Sequence, residues 1–498
     1  MLIETSKKKA ICFNNSYVLL GDRFYANVKP KPVARPRIVK LNYGLAQDLG
    51  IDLKVLESDT RAAVFSGNHI PMGADPLAMV YAGHQFGQFV PQLGDGRAIL
   101  LGEVIDRYNV RRDIQLKGSG PTPFSRQGDG RAPLGPVLRE YIVSEAMHAL
   151  GIPTTRSLGA VTTGEPVYRE KVLPGAILTR VASGHVRVGT FQYFSLQRDE
   201  EALKKLSDYV IDRHYPEVKE SPNPYLNFLQ EVMDRQARLL AKWLHVGFIH
   251  GVMNTDNMAI SGETIDYGPC AFMDTFDQTK VFSSIDHMGR YAYGNQPSIA
   301  QWNLTRLAET ILPLIDKMPD RAIDFAKEVI EIYPERFRHY WLSGMRRKIG
   351  LFTSESEDEA LVQSLLDAMQ ENEADFTLTF RLLCDAAVDP EMDISIRSLF
   401  KDSDAYDNWA KDWRKRLSRE FKEPNERVDL MRHTNPAVIP RNHRVEQTIE
   451  AAIEQEDYNS FEKLLAVLSS PYVEKEEHKE YMLPPKSEEQ VIQTFCGT

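Results

Sequence analysis

Two short segments carry side chains that could bind a metal ion. Residues 250–257 read HGVMNTDN, and residues 266–268 read DYG. The intervening residues 258–265 have the pattern of a short hairpin with a turn at Ser261-Gly262-Glu263, which would bring Asn257 and Asp266 together. Oxygen donors of this kind suit a hard cation, Mg²⁺ or Mn²⁺, whose other ligands are usually water and phosphate oxygens. The pattern predicts a metal-assisted nucleotide site.

The spacing of these residues resembles that of a protein kinase. A kinase catalytic loop reads H-R-D-x-x-x-x-N and is followed by a hairpin and D-F-G, in which the Asn and the second Asp bind metal. His250, Asn257 and Asp266 occupy the corresponding positions. The position of the catalytic base is Val252, which cannot accept a proton. The enzyme is therefore inactive, or another carboxylate replaces the missing base.

Three carboxylates are candidates for that base. Asp256 is the nearest, beside the metal-binding Asn257, and we take it as the base. Asp274 and Asp277 are expected to be surface carboxylates of a loop, although either could compete with it. His250 is expected to be a packed histidine that holds the loop.

Upstream residues provide donors for phosphate oxygens. Lys117 corresponds to the kinase lysine that contacts phosphates, and Glu140 on the next helix is placed to orient it. Two Gly-Asp-Gly-Arg turns, 94–97 and 128–131, let backbone N–H groups approach phosphates closely. Arg180 and Arg187 add bidentate donors. So many arginines suggest that a triphosphate is held differently from the way a kinase holds it.

The elements that position these residues follow from periodicity. Ala98–Leu101 and Val90 should flank a hairpin turn at 94–97, and residues 113–117 alternate, with Ile114 and Leu116 facing a core. An amphipathic helix is predicted over 136–150, followed by two short strands with a turn at 163–165 and a further strand over 176–181. A long helix is predicted over 225–244. The remainder is mainly helical.

Composition limits the possible classes of protein. The 498 residues include 60 Lys and Arg, 70 Asp and Glu and 42% hydrophobic residues, which is typical of a soluble globular protein. The net charge of −10 argues against a general nucleic-acid or anionic-membrane binder. No apolar run is long enough to span a membrane, and residues 1–15 lack the features of a secretory signal. We therefore expect a cytoplasmic protein without nucleic-acid or membrane partners.

The charge is unevenly distributed along the chain. Residues 91–140 hold eight Lys or Arg against six Asp or Glu, whereas residues 351–375 hold eight acidic residues and no basic one. This pattern predicts a basic phosphate cleft in an acidic body, with much of the acidity on a distal helical surface.

Longer motifs identify a family resemblance. The stretches 81–87 (YAGHQFG), 92–97 (QLGDGR), 115–120 (QLKGSG), 250–258 with 266–269, and 435–442 (NPAVIPRN) closely resemble the selenoprotein O family. The resemblance covers essentially the whole chain. It implies an α+β, protein-kinase-like (pseudokinase) fold of two lobes with an additional helical C-terminal region. We divide it into residues 1–70 (N-terminal extension), 71–170 (strand-rich nucleotide-binding lobe), 171–350 (helical catalytic lobe) and 351–498 (helical C-terminal region).

The resemblance also implies an activity. Members of the family bind ATP in a flipped orientation and transfer AMP, rather than phosphate, to Ser, Thr or Tyr hydroxyls of proteins, which releases pyrophosphate. On this pattern Asp256 is the base, Asn257 and Asp266 bind Mg²⁺, and Glu140 supports Lys117. The residues implied to contact the nucleotide are Gly94, Gly96, Arg97, Lys117, Asp129, Gly130, Arg180, Arg187 and Asp266. Arg97, Arg180 and Arg187 would then hold the leaving pyrophosphate.

The tail suggests redox regulation. Cys496 lies where animal members of the family carry selenocysteine, and Cys270 lies four residues after Asp266. A disulfide between them would clamp the segment beside the metal site, although two independent thiols are about as reasonable.

Two rival functions stay open: an ordinary phosphotransferase, which Val252 disfavours, and a catalytically silent nucleotide-binding scaffold.

Overall fold

An eight-stranded antiparallel sheet forms the frame of the N-terminal part of the protein. A computed structural model describes residues 9–495. The sheet order is β1-β3-β6-β7-β10-β9-β2, and the short β8 pairs with β10. Two further pairs, β4-β5 and β11-β12, lie outside this sheet. In chain order the strands are β1 Tyr25–Asn27, β2 Arg37–Leu41, β3 Leu77–Met79, β4 Gly83–Gln85, β5 Gln88–Val90, β6 Ala98–Ile105, β7 Arg111–Lys117, β8 Ala132–Pro133, β9 Arg156–Tyr168, β10 Val172–Ala182, β11 Phe248–Ile249 and β12 Ala271–Phe272.

Helices cover the sheet and make up most of the rest of the protein, which is thus a mixed α and β structure. They are α1 Tyr43–Asp48, α2 Ser58–Ser66, α3 Leu134–Ala149, α4 Val188–Leu196, α5 Glu200–His214, α6 Pro224–His245, α7 Gln296–Ile315, α8 Pro319–Glu331, α9 Tyr333–Lys348, α10 Asp358–Glu371, α11 Phe376–Ala386, α12 Asp393–Arg397, α13 Ser403–Leu417, α14 Pro424–Thr434, α15 Asn442–Gln455, α16 Asn459–Leu468 and α17 Lys479–Met482.

Strand β7 has the two-sided pattern that its sequence predicts. Ile114 and Leu116 are buried in a core with residues of α1 and α2. Gln115 and Lys117 point to the opposite face, where Gln115 bonds to Asp95 and Lys117 to Glu140. Because side chains alternate along a strand, the same strand supplies both a core face and a cleft face.

The two predicted helices are confirmed. The helix expected over 136–150 is α3, Leu134–Ala149, and the helix expected over 225–244 is α6, Pro224–His245. Gly247, just beyond α6, has φ +71°, a left-handed conformation that favours glycine after a helix end.

Three local predictions are wrong. Residues 94–97 do not close a hairpin, because β5 pairs with β4 whereas β6 pairs with β3 and β7. Residues 258–265 do turn, over 259–262, but their two arms bond to other segments: Ile260 N to Val186 O, and Thr264 N to Pro153 O. The two short strands expected around 163–165 are one long strand, β9. In the first two cases, pairing with distant segments replaces the predicted local pairing. In β9, the predicted turn is a bulge opposite the register shift between Pro174 and Ala176 of β10.

The C-terminal helices pack in two places. Helices α10 to α14 extend the helical body around α9, whereas α15 and α16 cover the side of α3 that faces away from the sheet. The rings of Tyr141 on α3 and Phe461 on α16 are 5.6 Å apart. Helix α3 is therefore buried on nearly all sides.

The acidic segment 351–375 is less exposed than its sequence predicts. Asp358 is fully buried and bonds to Arg416 at 2.7 Å. Arg419 pairs with Glu355, and Arg338 with Glu359. Arginines of neighbouring helices thus neutralise part of this acidity.

Within residues 9–495, none of the helices combines the length and the apolar character that a membrane span requires.

Candidate active site

One cleft of about 520 Å³ collects the predicted nucleotide, metal and base residues. It lies between the sheet, α3 and the loops that hold the HGVMNTDN and DYG segments. Those of its lining residues that the sequence predicted are Gly94, Gly96, Arg97, Lys117, Asp129, Gly130, Glu140, Arg180, Arg187, Asp256, Asn257 and Asp266. These residues are far apart along the chain, so the fold brings them together.

Asp266 is the electrostatic centre of the cleft. Its carboxylate lies 2.7 Å from Arg180 Nη1, 3.2 Å from Lys117 Nζ and 3.3 Å from Arg187 Nη1. Burial opposes ionisation, but these three cations outweigh it and hold the pKa of Asp266 well below its usual range. Asp266 also has φ +59°, a strained conformation for a non-glycine residue, which is common at functional sites.

Glu140 joins this network from α3. Its Oε2 lies 2.5 Å from Lys117 Nζ, and its Oε1 lies 3.6 Å from Arg180 Nη1. The side chain of Glu140 is almost completely buried. The contact fixes the lysine ammonium at the end of β7, pointing toward Asp266.

Asp256 lies in a different environment. It is 7% exposed in the 3₁₀ turn Thr255–Asn257. Its Oδ2 accepts a hydrogen bond from Gln85 Nε2 at 3.3 Å, and its buried Oδ1 has no partner among the described residues. Burial raises the pKa of Asp256 to about 6, although Arg187 acts in the opposite direction. This carboxylate keeps an unused acceptor for a proton.

Asn257 and His250 have distinct tasks. Asn257 donates its side-chain Nδ2 to the carbonyl of Val252 at 2.9 Å, so its amide oxygen is the atom left to bind a cation. His250 is buried, its Nε2 lies 2.8 Å from the Ile265 carbonyl, and its ring stacks on Trp243. The expectation of a packed histidine that holds the loop is confirmed.

The residues present fit a hard cation. An amide oxygen and an ionised carboxylate are suitable ligands for Mg²⁺ or Mn²⁺. Within residues 9–495 there is no group of three or more His, Cys, Asp or Glu side chains that could hold a metal by themselves. A cation at Asn257 and Asp266 would therefore take other ligands, such as phosphate oxygens.

Two loops are clasped together over the cleft. Thr122 Oγ1 donates to the Asp95 carbonyl at 2.6 Å, and Ser125 Oγ donates to the Gly96 carbonyl. Gly94 has φ +74°, and a Cβ on it would lie 2.4 Å from the ring of Phe124. Only glycine fits there, because any side chain would collide with the second loop.

The second Gly-Asp-Gly-Arg turn is held by ion pairs. Asp129 bonds to both Nη atoms of Arg169, at 2.9 and 3.0 Å, and accepts from the backbone N of Arg131. Gly130 has φ +64°, and a Cβ there would lie 2.1 Å from the backbone of Gly120. The turn thus presents backbone groups to the cleft at a fixed position.

Sequence reasoning missed several cleft residues. Tyr81 packs its ring 4.5 Å from the Arg187 guanidinium, and the buried Asp95 lies 3.7 Å from Arg187 Nη2. Gln85, Phe124 and Arg169 also line the cleft. Tyr81 and Gln85 belong to the YAGHQFG motif, so their position in a family motif was a usable signal. No such signal in the sequence marked Phe124 or Arg169 as cleft residues.

Some basic residues lie elsewhere. Of the arginines in 91–140, Arg107, Arg111, Arg112 and Arg139 do not line the cleft. Consecutive side chains of a helix are rotated by about 100° around its axis. On α3, Glu140 therefore points into the cleft and Arg139 points away from it. The cleft contains more basic than acidic residues, as expected. Part of this excess comes from Arg169, Arg180 and Arg187, which lie outside residues 91–140.

The remaining candidates lie outside the cleft. Asp274 pairs with the buried Arg441 at 2.6 Å, and neither it nor Asp277 lines the cleft.

Cys270 is fully buried, and burial raises the pKa of its thiol to about 12. Cys496 lies outside the described residues. Thr494, near it in sequence, donates its hydroxyl to the Pro269 carbonyl at 2.7 Å, next to Cys270.

Comparison with known proteins gives a consistent result. The family model described as "Protein adenylyltransferase SelO" matches residues 8–469. The chain is 62% identical over 488 residues to the protein nucleotidyltransferase YdiU of Rhizobium rhizogenes, covering 98% of this chain and 97% of that protein. It is 60% identical over 486 residues to the YdiU of Bradyrhizobium diazoefficiens, covering 98% and 99%. The chain therefore belongs to the SelO family of protein adenylyltransferases.

Proposed function

We propose that the protein transfers AMP from ATP to serine, threonine or tyrosine hydroxyls of other proteins and releases pyrophosphate. The family and the YdiU relatives, named protein nucleotidyltransferases, support an enzyme of this class. The observation that carries the proposal is the carboxylate of Asp256, buried in the cleft with one oxygen that accepts no hydrogen bond from the described residues.

At the α-phosphorus the reaction makes one bond and breaks one, and one proton moves. The hydroxyl oxygen of the protein substrate attacks the α-phosphorus, and the bond from that phosphorus to the oxygen of the β-phosphate breaks. The hydroxyl proton goes to Asp256, and the electron pair leaves with pyrophosphate. Since Asp256 has a pKa of about 6, it is ionised at neutral pH and accepts a proton readily.

The arginines have the role of stabilising the leaving group. Arg180 and Arg187 are both buried and aimed at Asp266, and Arg97 lines the same cleft. Cations held in fixed positions by the protein stabilise the charge that grows on pyrophosphate. Lys117, oriented by Glu140, belongs to the same set, and Gly94, Gly96, Asp129 and Gly130 shape the loops that contact the nucleotide.

Asn257 and Asp266 are the residues that would hold Mg²⁺, with Mn²⁺ an acceptable substitute. The ion would neutralise negative charge on the phosphates of ATP when bound. The three cations now around Asp266 would then be shared with phosphate oxygens.

The proposal includes a kinase-like architecture. The Lys117–Glu140 pair, the Asn257 amide bonded to the Val252 carbonyl and the left-handed Asp266 support it. We keep the division into an extension (1–70), a strand-rich lobe (71–170), a helical lobe (171–350) and a C-terminal region (351–498). We also propose a cytoplasmic location, with which the absence of a disulfide among the described cysteines Cys12, Cys270 and Cys384 agrees.

Redox control through Cys270 and Cys496 stays a proposal. The position of Thr494, two residues before Cys496, supports it. Thr494 bonds to the carbonyl of Pro269, next to Cys270, and forms a parallel β-bridge with Ser283. The buried thiol of Cys270 must become accessible before it reacts. If peptide mapping of oxidised protein under non-reducing conditions finds no Cys270–Cys496 link, the proposal fails.

The test compares ATP labelled at the α-phosphate with ATP labelled at the γ-phosphate. Each is incubated with the protein, Mg²⁺ and a mixture of acceptor proteins, and label in protein is measured. We expect label from the α-position alone. Label from the γ-position alone would indicate a phosphotransferase, and label from neither would indicate a silent nucleotide-binding scaffold.

A further inference from the structure

The mouth of the cleft next to Asp256 is where a protein substrate must enter. Gly83 and Gly189 close off other sides of Asp256: a Cβ on Gly83 would lie 2.5 Å from Asp256 Oδ1, and one on Gly189 would lie 3.4 Å from its Cα. Gln85, Phe86 and Ile285 also line the cleft, and Gln85 bonds to Asp256. These three residues are therefore candidates for contact with a substrate whose hydroxyl reaches Asp256.

Arg290 does not line the cleft itself but lies beside the β4-β5 hairpin that carries Phe86. Its guanidinium carbon is 5.0 Å from the centre of the Trp302 ring and 5.8 Å from that of Tyr291. A Cβ on Gly87, at the tip of the β4-β5 hairpin, would lie 3.6 Å from the same carbon. The Tyr291 ring in turn packs 5.1 Å from Phe86. Arg290 is thus held in place by aromatic and backbone groups.

No ion pair joins the guanidinium of Arg290 to a carboxylate within residues 9–495, and its buried Nε has no hydrogen-bond partner there. The nearest carboxylate in its loop, that of Asp286, accepts a hydrogen bond from the backbone N of Arg290 at 2.9 Å. By contrast, Arg180, Arg187 and Arg169, which line the cleft, all pair with carboxylates. Arg306, on the same Trp302 ring, pairs with Glu309 at 2.7 Å.

Exposed apolar side chains flank Arg290. Ile285 is 51% exposed and Met288 is 92% exposed, and both belong to the loop that leads to Arg290. Flexible apolar side chains of this kind are frequent on surfaces that bind varied peptides. The surface formed by Phe86, Ile285, Met288 and Arg290, here called the mouth surface, thus combines apolar contact with one unbalanced positive charge.

We propose that the mouth surface binds the protein substrate and that Arg290 selects an acidic residue close to the modified hydroxyl. This inference rests on the proposed function, because it assigns the substrate side of that same site. A carboxylate of the substrate would supply the counter-charge that Arg290 lacks, and apolar substrate residues would cover Ile285 and Met288. Arg290 acts on specificity and takes no part in the transfer itself.

The test uses synthetic peptides with one tyrosine flanked by Asp, by Asn or by Lys. Binding of fluorescent peptides is measured by anisotropy, and AMP incorporation is measured with α-labelled ATP. For the wild-type protein we expect the Asp peptide to bind about tenfold more tightly than the Asn peptide, the value of one charge-assisted hydrogen bond. The Lys peptide should bind more weakly than both.

Variants assign the preference to Arg290. Arg290→Ala should remove the difference between Asp and Asn peptides, Arg290→Glu should favour the Lys peptide, and Arg290→Lys should keep part of the preference. The KM for ATP should not change. Arg238→Ala is the control, because Arg238 also lies over an aromatic ring, that of Tyr340, but belongs to α6 and pairs with Asp234 at 2.9 Å.

The outcomes separate the two proposals. If the wild-type protein binds Asp and Asn peptides equally, or if Arg290→Glu keeps the wild-type order, the inference about Arg290 is wrong. AMP transfer without any charge preference would reject only this inference. A charge preference in binding without any AMP transfer would support the mouth surface and reject the proposed function.

Discussion

Asp256 and Asp266 are two buried carboxylates of one cleft in opposite electrostatic environments. Three cations surround Asp266 and keep it ionised, as a metal ligand must be. Asp256 has one amide donor, and burial raises its pKa to about 6. Environments that push two pKa values apart in one site assign different roles to the two groups. The geometry thus supports Asp266 as a ligand and Asp256 as a base.

The first prediction concerns the cost of keeping Asp256 ionised. Its pKa of about 6 in the folded protein exceeds the ordinary 3.8, so its charge destabilises the fold above pH 6 by up to about 3 kcal/mol. We expect Asp256→Asn to abolish AMP transfer and to stabilise the protein at pH 8. The gain should shrink as the pH falls from 6 toward 4. Urea unfolding of metal-free protein in EDTA at pH 8 and pH 5 measures it.

The control for this prediction is Asp129→Asn in the same cleft. Arg169 lowers the pKa of Asp129, so this variant should gain no stability at pH 8. An Asp256→Asn protein that is less stable than wild type at pH 8 would contradict the account.

At the scale of elements, the cleft depends on the two clasped loops 94–97 and 122–130. The alternation in β7 and the periodicity of α3 and α6 were readable from sequence because they are local. The loop contacts were not, since Phe124 meets Gly94 only after both loops have folded. The false hairpin at 94–97 has the same cause: β5 and β6 find partners elsewhere in the chain.

The second prediction tests this clasp. Gly94→Ala adds a Cβ that would lie 2.4 Å from the Phe124 ring, at a backbone φ of +74°. We expect the affinity for ATP, measured by calorimetry, to fall at least tenfold, because about 1–2 kcal/mol of backbone strain adds to the collision. Gly94→Ala with Phe124→Ala should recover part of the loss.

A matched control separates strain from collision. Gly50 has φ +69°, a Cβ added to it would meet nothing within 4 Å, and it lies outside the cleft. Gly50→Ala should lower stability slightly and leave ATP affinity unchanged. Equal ATP affinity for Gly94→Ala and wild type would show that the clasp does not shape the site.

At the scale of the whole molecule, the C-terminal region supports the site. Arg139 on α3 donates to the Cys270 carbonyl at 3.0 Å and to Asn442 Oδ1 at 3.1 Å, and also pairs with Glu446. Its neighbour Glu140 holds Lys117. The sequence indicates helices after residue 351, but their packing on α3 depends on contacts between segments that are far apart in the chain and could not be predicted from it.

The third prediction tests this link. Arg139→Met removes the buried donor and leaves the Cys270 carbonyl and Asn442 unsatisfied, so we expect a loss of about 1–3 kcal/mol in stability. Hydrogen exchange should accelerate first in α15. Lys463→Met, an exposed change on α16, is the control and should have no effect. Unchanged exchange in α15 of Arg139→Met would contradict the link.

The central claim is that this cleft transfers AMP with Asp256 as the base, and one measurement tests it most directly. Mass spectrometry of acceptor proteins, after incubation with ATP and Mg²⁺, reads the group that each modified hydroxyl carries. We predict AMP on Ser, Thr or Tyr side chains with the wild-type protein and none with Asp256→Asn. A phosphoryl group in place of AMP, or full AMP modification by Asp256→Asn, would contradict the account.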